Sequence, residues 1–246
     1  AGFMWQKTTR ESKKYQLRGE ILSFIPVEKN VEVMLVTITN TGRMAQTVTP
    51  TAAIPLYGRS ADNIRDHRHV TSLLHRIETT DTGVLVTPTL SFDERGHQVN
   101  HMTYYCVGWS GNGEKPVDFY PTAEDFVGEG GNFERPYAIV KNAEGVKAGT
   151  RIEGLEAVGG LHFSEVTLEP EEECSYLIFT GITEDIQEIR NLSKTYTTRE
   201  MVLEELEKTK AYWQEKVNVA YHTGDSDFNQ FMHWVSFQPI LRRIYG

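Results

Sequence analysis

Short apolar runs separated by turn-forming clusters fill the chain from about residue 15 to residue 181, and this pattern restricts the fold more than any other feature. The runs are rich in Val, Ile, Thr and aromatic residues, which suit strands, and helical periodicity is almost absent from them. We predict strands over residues 15–25, 31–39, 46–57, 83–92, 103–109, 161–168 and 175–181. Many strands and few helices favour a large antiparallel β-sandwich built from two sheets.

Turn residues predict two strand pairings. Pro26 and the polar residues 28–30 separate the first two predicted strands, and the second strand ends at Asn40 and Gly42, which tolerate the positive φ of a tight turn. We therefore expect these two strands to pair antiparallel. The acidic turn 169–172 likewise predicts a hairpin between the last two strands.

After residue 181 the apolar spacing becomes that of helices. Thr197 and Glu200 have the spacing of a capping box, which predicts that a helix begins there. Its apolar residues recur at spacings of four, seven and four, which places them on one face: Val202, Leu206, Trp213 and Val217. Glu204 and Lys208 lie one turn apart on the solvent side.

A second helix is predicted after residues 222–224, with Asp225 or Ser226 as its N-cap. Its apolar residues leave little polar face: Phe228, Phe231, Trp234, Val235, Phe237, Leu241 and Ile244. Pro239 removes one backbone donor inside this run and is expected to kink the helix or to start a new turn. A helix this apolar suits the core of a helical domain, so we expect the sequence to be a piece of a larger protein; residues 1–5 also read as interior sequence.

Composition argues against several classes of protein. The chain has 34 acidic and 25 basic residues, a net charge of -9, and its basic residues are scattered, so we expect no nucleic-acid partner. No apolar run approaches the roughly 20 residues that a membrane-spanning helix needs, so we expect no membrane partner. Cys106 and Cys174 both lie in strand-like apolar segments. This placement favours two buried thiols in a reducing compartment over a disulfide.

The histidine-rich segment 66–69, Asp-His-Arg-His, could together with His75 suggest a metal site. His67 and His69 would share a face only on a strand, no Cys or Glu stands at a standard ligand interval, and the flanking arginines would repel a cation. A solvated loop whose Arg and His contact an anion or a sugar hydroxyl fits this segment better, so we predict no metal ligands. The sequence also lacks a nucleophile elbow, a phosphate loop and a dinucleotide fingerprint.

The glycine-rich stretch 126–132, Phe-Val-Gly-Glu-Gly-Gly-Asn, is the main candidate for ligand contact. Three glycines around Glu129 let the backbone approach a ligand or another segment closely, and free amides can face oxygen atoms. A β-bulge or a crowded turn would explain the same glycines. Four strand aromatics could stack on sugar rings, although such residues more often belong to the core: Trp5, Tyr104, Tyr105 and Trp109.

Three segments together resemble the β-sandwich domain and linker of the inverting glycoside phosphorylases, family 94 of the glycoside hydrolases. The stretch 126–132 with Pro136 looks like the family's Phe-x-Gly-x-Gly segment. Residues 168–181 resemble the strands that close its sandwich, and the tail from residue 223 to Arg242 resembles the entry into its α/α barrel. The resemblance covers nearly the whole chain.

Two departures from many relatives are visible in the tail. Met232-His233 stands where they have Asn-Arg, and Phe237-Gln238 where they have Tyr-Gln. These variants look most like the branch that acts on β-1,2-linked glucans, the 1,2-β-oligoglucan phosphorylases.

The resemblance implies a mainly β fold. We expect a large antiparallel β-sandwich of the supersandwich, galactose-mutarotase-like type, followed by linker helices that lead into an α/α barrel outside this sequence. Residues 1–182 are expected to form the sandwich domain, whose N-terminal part can lie outside the sequence. Residues 183–222 are expected to form the helical linker, and residues 223–246 the first helix of the truncated barrel.

The resemblance also implies inverting phosphorolysis, in which inorganic phosphate attacks a β-glucoside and one carboxylic acid protonates the leaving oxygen. The family's catalytic aspartate lies in the barrel, so we assign no catalytic residue here and expect no metal or organic cofactor. A loop near the barrel mouth is expected to contact the oligosaccharide through Gly128, Glu129, Gly130, Asn132, Arg135 and Tyr137.

The implied partners are a β-gluco-oligosaccharide, inorganic phosphate, the protein's own barrel and a second copy in a homodimer, and the implied location is the cytoplasm. Two further interpretations stay open. The chain could be a carbohydrate-binding or dimerisation module, or it could belong to another enzyme with the same architecture, such as a phosphorylase of different linkage or a glucoamylase-like hydrolase.

Overall fold

The computed structural model describes residues 1–58, 68–93 and 96–245, with only the backbone for residues 68, 69, 92, 93 and 242–245. The strands of this part are β1 (Trp5–Ser12), β2 (Leu17–Phe24), β3 (Val31–Asn40), β4 (Gln46–Val48), β5 (Thr51–Leu56), β6 (Arg76–Thr79), β7 (Gly83–Val86), β8 (Leu90–Asp93), β9 (Gly96–Val99), β10 (Thr103–Ser110), β11 (Asp118–Thr122), β12 (Arg151–Glu153), β13 (Ala157–His162), β14 (Val166–Leu168) and β15 (Glu173–Thr183). The helices are α1 (Arg68–Ser72), α2 (Ala123–Val127), α3 (Tyr137–Lys141), α4 (Ile186–Thr195), α5 (Arg199–Lys216) and α6 (Ser226–Tyr245).

Two antiparallel sheets build the sandwich. The larger has eight strands in the order β1-β2-β3-β15-β10-β7-β6-β12, and the smaller has three in the order β11-β13-β5. Their facing side chains form one apolar cluster, in which Cys106 and Ile178 of the large sheet meet Leu161 of the small one. Two short pairs, β4 with β14 and β8 with β9, complete the sheets of the described chain. The expected fold class, a mainly β sandwich followed by helices, is confirmed.

Strand β3 shows how one segment serves two cores. Val33 and Leu35 are buried against the helical side of the large sheet, whereas Met34 and Val36 pack against the cluster between the sheets. Successive side chains of a strand point to opposite faces, so a continuous run of apolar residues suits a strand covered on both sides.

Helices α4 and α5 cover the other face of the large sheet. Phe179 is fully buried there and stacks on Trp109 and Tyr196 at ring distances of 4.8 and 5.4 Å. The indole N–H of Trp109 donates to the Tyr196 carbonyl at 2.9 Å, and Lys29 Nζ donates to the Tyr196 hydroxyl at 2.6 Å. Aromatic packing and two long-range hydrogen bonds therefore hold the helical segment to the sandwich.

Several strand predictions are confirmed. The predicted pairing of strands 15–25 and 31–39 is observed between β2 and β3, and the predicted strand 103–109 is β10. The long runs 46–57 and 83–92 each form two strands, interrupted near Pro50 and Pro88. Proline lacks a backbone N–H and cannot donate to a strand ladder, which explains both interruptions. The sequence patterns do not predict strands β1, β6, β9, β11 and β12.

The predicted hairpin between residues 161–168 and 175–181 is wrong. Strand β14 pairs with β4, whereas β15 pairs with β3 and β10. The acidic turn carries the chain between sheets, and Asn40 holds it there: its Nδ2 donates to the Leu168 carbonyl at 2.9 Å, and its carbonyl accepts from the Glu171 N–H at 2.9 Å. Pairing with distant strands thus outweighs the local turn signal.

Helix α5 begins one residue later than predicted. Its N-cap is Thr198 rather than Thr197, because Thr198 has the extended backbone that lets its hydroxyl accept from the Met201 N–H. The predicted inner face is confirmed, since all four of its residues are buried: Val202, Leu206, Trp213 and Val217. On the outer side Lys208 forms its ion pair with Glu205, at 3.4 Å.

Helix α6 is capped by Asp225, whose Oδ1 accepts from the N–H groups of Asp227 and Phe228 at 2.9 and 3.0 Å. The helix continues through Pro239 instead of starting a new turn there. Phe237 is buried edge-on against Trp213, with ring centres 4.9 Å apart. Other apolar residues of α6 stay exposed: Phe228, Phe231, Trp234 and Val235. Within the described residues, no helix combines the length and apolarity needed to cross a membrane.

Candidate functional site

The glycine-rich stretch lies in a small helical lobe on strand β11, defined here as the α2–α3 lobe, residues 123–141. Thr122 starts α2, since its Oγ1 accepts from the Asp125 N–H at 3.0 Å and donates to the Asp125 carboxylate at 2.6 Å. Phe126 is buried against Tyr120 of β11, with ring centres 5.7 Å apart. This apolar contact fixes the lobe to the small sheet.

Close packing inside the lobe explains two of its three glycines. Gly128 ends α2 with a φ of +81°, and a Cβ there would lie 2.6 Å from the Cβ of Tyr137. A Cβ on Gly131 would lie 2.2 Å from the Val127 carbonyl oxygen. Gly130 has a φ of +67° with no atom near its Cβ position, so it serves the turn alone. The crowded-turn interpretation accounts for Gly128 and Gly131.

Asn132 shapes the segment that leads into α3. Its Oδ1 accepts from the backbone N–H groups of Glu134 and Arg135, both at 3.0 Å, which is the pattern of an Asx turn. Pro136 then precedes α3, and the Arg135 side chain is exposed. The Asn132 oxygen is therefore already engaged within the loop.

A first cleft of about 340 Å³ separates the lobe from β11 and the segment after α3. Its lining combines aromatic and acidic side chains: Phe119, Tyr120, Asp125, Glu129, Tyr137 and Glu144. The Tyr120 hydroxyl donates to the Ala143 carbonyl at 2.7 Å, and burial, with a smaller contribution from Asp118, raises the pKa of Tyr120. The phenol is therefore neutral at physiological pH.

A second cleft of about 510 Å³ lies on the opposite side of the same loop. It is lined among others by Glu124, Glu129, Asn132, Phe133, Leu155 and Glu156. Glu124, Gly128 and Glu129 line both clefts, so this short segment forms a shared wall. Both volumes lie in the range of small-molecule sites.

The lining of the two clefts indicates which ligands they suit. Carboxylates accept hydrogen bonds from hydroxyl groups, and exposed aromatic rings such as Phe133 and Tyr137 offer faces for apolar C–H groups. Neither Lys nor Arg lines either cleft within the described chain. This arrangement suits an uncharged, hydroxyl-rich ligand and disfavours a phosphate.

The structure brings together four of the six predicted site residues. Gly128 and Glu129 line both clefts, Tyr137 lines the first and Asn132 the second, whereas Gly130 and Arg135 line neither. Sequence reasoning missed the other carboxylates and Phe133. Within the lobe, the spacing of Thr122 and Asp125 signals a helix start and could have located the acidic first turn. Glu144 and Glu156 carry no such signal.

The aromatic residues considered for stacking fall into two groups. Tyr105 and Trp109 are buried in the core beneath α4 and α5, which confirms the core interpretation for both. Tyr104 is partly buried and packs against the cluster between the sheets. Trp5 is also partly buried, and Lys210 Nζ lies 4.7 Å from its ring centre.

Of the histidine-rich segment, Asp66 and His67 lie outside the described residues, and only the backbone of Arg68 and His69 is described. His75 is 3% exposed, and its Nδ1 lies 3.1 Å from the Leu155 carbonyl. Among the residues whose side chains are described, no three His, Cys, Asp or Glu are grouped as metal ligands would be.

Both cysteines are free thiols, as predicted. Cys106 is fully buried, its Sγ lies 3.7 Å from the Gly159 carbonyl, and burial raises the pKa of the thiol to about 12. Cys174 is partly buried, and burial raises its pKa as well. Neither group has the lowered pKa of a reactive thiol.

Comparison with known proteins gives one strong result. The family model described as "Glycosyl hydrolase 94, supersandwich domain" matches residues 1–199. A polysaccharide lyase of known structure aligns over 75% of this chain with a TM-score of 0.37 and 11% identity, a similarity too low to indicate function. The chain spans 22% of the length of that lyase. Among curated proteins, no sequence matches significantly.

Proposed function

The chain belongs to glycosyl hydrolase family 94 and contains its supersandwich domain, and we propose that it is the non-catalytic sandwich segment of an inverting glycoside phosphorylase. The match over residues 1–199 is the observation that carries this proposal. The parent enzyme would cleave β-glucosidic bonds, with β-1,2-oligoglucans as the expected substrates, and would release α-glucose 1-phosphate.

The proposed reaction needs one protein carboxyl group. A phosphate oxygen forms a bond to the anomeric carbon as the glycosidic C–O bond breaks, and a carboxylic acid protonates the departing oxygen. Phosphate takes the place of the base-activated water of an inverting hydrolase, so a second catalytic carboxyl is unnecessary. The acid is expected in the barrel, and no residue of this chain is given a catalytic role.

The α2–α3 lobe would contribute to sugar binding in this scheme. Its two clefts offer carboxylates and aromatic rings but no lining Lys or Arg in the described chain, which supports a role at the sugar rather than at the phosphate. Metal ions and organic cofactors have no part in the proposal.

The exposed apolar side of α6 supports docking of a helical barrel. Phe231 is 60% exposed and Trp234 44% exposed, on a helix that is anchored by buried Phe237. Contiguous exposed apolar residues commonly mark an interface. We further propose a cytoplasmic location, which the two free thiols and the use of phosphate support, and a homodimer as the assembled form.

The first prediction concerns the reaction. The full-length protein is expected to release α-glucose 1-phosphate from β-1,2-linked gluco-oligosaccharides only when inorganic phosphate is present. The measurement is product release with and without phosphate on a panel of β-1,2, β-1,3 and β-1,4 oligosaccharides. Phosphate-dependent release from another linkage would support a phosphorylase but contradict the assignment to the 1,2-β-oligoglucan branch. Release of free glucose independent of phosphate would indicate a hydrolase.

A second candidate is a carbohydrate-binding or dimerisation module without a phosphorylase. The two aromatic and acidic clefts favour this candidate, because they need no catalysis to bind sugar. Sugar binding with no product from any linkage in the same panel would support it.

The second prediction concerns the loop. In the full-length protein, Asn132→Ala is expected to raise the KM for oligosaccharide, by roughly 2- to 10-fold if one hydrogen bond is lost, whereas Arg135→Ala, at a residue that lines neither cleft, is expected to leave it unchanged. Asn132→Asp keeps the oxygen that accepts from Glu134 and Arg135, so it separates sugar contact from support of the turn. Glu134→Gln, on an exposed residue that lines neither cleft, is the matched control. An unchanged KM in Asn132→Ala would remove this role of the loop.

A further inference from the structure

A narrow chamber lies directly behind the second cleft. Its volume is about 20 Å³, and its lining includes Thr71, Ser72, His75, Ala123, Phe133 and Glu156. Ala123, Phe133 and Glu156 also line the second cleft, so the two spaces adjoin at these residues. A volume of about 10–15 Å³ is enough for one water-sized group, so the chamber has room for a single hydroxyl.

His75 presents an unused acceptor in this chamber. Its Nδ1 lies 3.1 Å from the Leu155 carbonyl, and because a carbonyl only accepts hydrogen bonds, Nδ1 must carry the proton. Burial lowers the pKa of His75 and outweighs the opposing effect of the nearby Leu155 and Gly58 backbone. The ring is therefore neutral, and Nε2 holds a lone pair.

The lone pair on Nε2 has no donor within the described part of the chain. Nε2 is buried without a hydrogen-bond partner there, on a side chain that is 3% exposed. The backbone of Gly58 is close, since a Cβ at that position would lie 3.2 Å from Nε2, and it acts on the pKa of His75 in the same direction as the Leu155 carbonyl, but its contact with Nε2 lacks the geometry of a hydrogen bond. Buried polar atoms normally have a partner, so a donor from outside the protein chain fits this position.

We propose that the second cleft and this chamber form a subsite for one neutral sugar residue, with one sugar hydroxyl in the chamber donating to Nε2 of His75. Phe133 is 47% exposed at the junction and offers its ring to the apolar face of the sugar. Glu129 and Glu156 can accept from further hydroxyls. In the absence of sugar, water would fill the chamber.

The chemistry of the lining selects the ligand class. An anionic sugar or a free phosphate would face Glu124, Glu129 and Glu156 with no lining Lys or Arg in the described chain. A hydroxyl group is small enough for the chamber and carries the donor that Nε2 requires. This inference rests on the proposed function, because it assigns a subsite for the sugar on which that function acts.

Sugar binding by the full-length protein tests the subsite. The probe is a β-1,2-linked gluco-trisaccharide, titrated calorimetrically without phosphate. Phe133→Ala is expected to weaken binding roughly tenfold or more, as expected for truncation of a central aromatic contact. His75→Phe, which keeps a ring of similar size and removes the acceptor, is expected to weaken it similarly. Tyr15→Ala is the matched control, because Tyr15 is 57% exposed between β1 and β2 and lines neither the second cleft nor the chamber.

A spectroscopic readout separates sugar contact from a purely structural role of His75. The ¹⁵N resonance of its Nε2 is expected to shift when the trisaccharide is added, with the proton staying on Nδ1. This readout and Phe133→Ala decide the matter if His75→Phe does not fold. Unchanged affinity of Phe133→Ala for the trisaccharide, or an Nε2 resonance that does not shift when the trisaccharide is added, would overturn the subsite.

The outcomes also distinguish the subsite from the proposed function. Phosphate-dependent product release together with unaltered binding in Phe133→Ala would discard the subsite and keep the phosphorylase. Binding that depends on Phe133 and His75, together with no phosphate-dependent product, would keep the subsite and discard the phosphorylase.

Discussion

Replacing Phe179 with alanine is expected to lower the free energy of unfolding by about 3–5 kcal/mol. Phe179 is fully buried at the centre of β15, between the large sheet and the helices α4 and α5. Its ring stacks on Trp109 and Tyr196, so the substitution removes both aromatic contacts and leaves a cavity at the sheet–helix junction. Urea denaturation followed by circular dichroism measures the change.

The matched control is Phe133→Ala, the same chemical change at a position that is 47% exposed. The Phe133 ring packs on Phe126, with ring centres 5.8 Å apart, so we expect a loss of about 1 kcal/mol, well below that of Phe179→Ala. It also verifies that the variant used to test sugar binding is folded. Similar losses in the two variants would show that the Phe179 layer is not the core of the sheet–helix junction.

Gly159→Ala is expected to destabilise the protein by about 1–3 kcal/mol or more, because it overpacks the space between the two sheets. A Cβ at Gly159 would lie 2.2 Å from the Cβ of Cys106 and 2.7 Å from its Sγ. Gly159 belongs to β13 of the small sheet and Cys106 to β10 of the large one. Relief of the clash requires the sheets to separate locally, and thermal unfolding measures the cost.

Gly19→Ala provides the comparison for this substitution. Gly19 also lies in a strand, β2, but no atom is within 4 Å of its Cβ position. Alanine also restricts the unfolded chain more than glycine does, so the expected effect ranges from neutral to a gain of about 0.4–1 kcal/mol. If Gly19→Ala lowered the stability as much as Gly159→Ala, the glycines in the strands would be needed for reasons other than the close approach of the two sheets.

The parts of the fold predicted from the sequence are those encoded locally. The pairing of β2 with β3 follows from the residues at their turn, and the buried face of α5 follows from the spacing of Val202, Leu206, Trp213 and Val217. The acidic turn at 169–172 indicated the wrong partner for β15. That strand pairs instead with β3 and β10, which lie far from it along the chain. Strand β1 is mostly exposed and so carries little apolar alternation.

Only part of the candidate site could likewise be predicted from the sequence. The stretch 126–132 could be found because glycine has conformational properties that show in a sequence, although packing against Val127 and Tyr137 accounts for two of its glycines. His75 and Glu156 belong to other segments and reach the second cleft and its chamber only through tertiary packing. No local spacing links them to the lobe.

The arrangement of the large sheet has a consequence for synthesis. Its central pairing joins β3 to β15, for example Val33 to Phe179, which are about 150 residues apart. At about 5–20 residues per second on the ribosome, β3 would wait roughly 7–30 s for that partner. Until then its inner edge is an unpaired row of backbone donors and acceptors beside apolar side chains. The growing chain is therefore exposed to aggregation while the residues between β3 and β15 are synthesised, and its slowest folding step is expected to be the late insertion of β15 between β3 and β10.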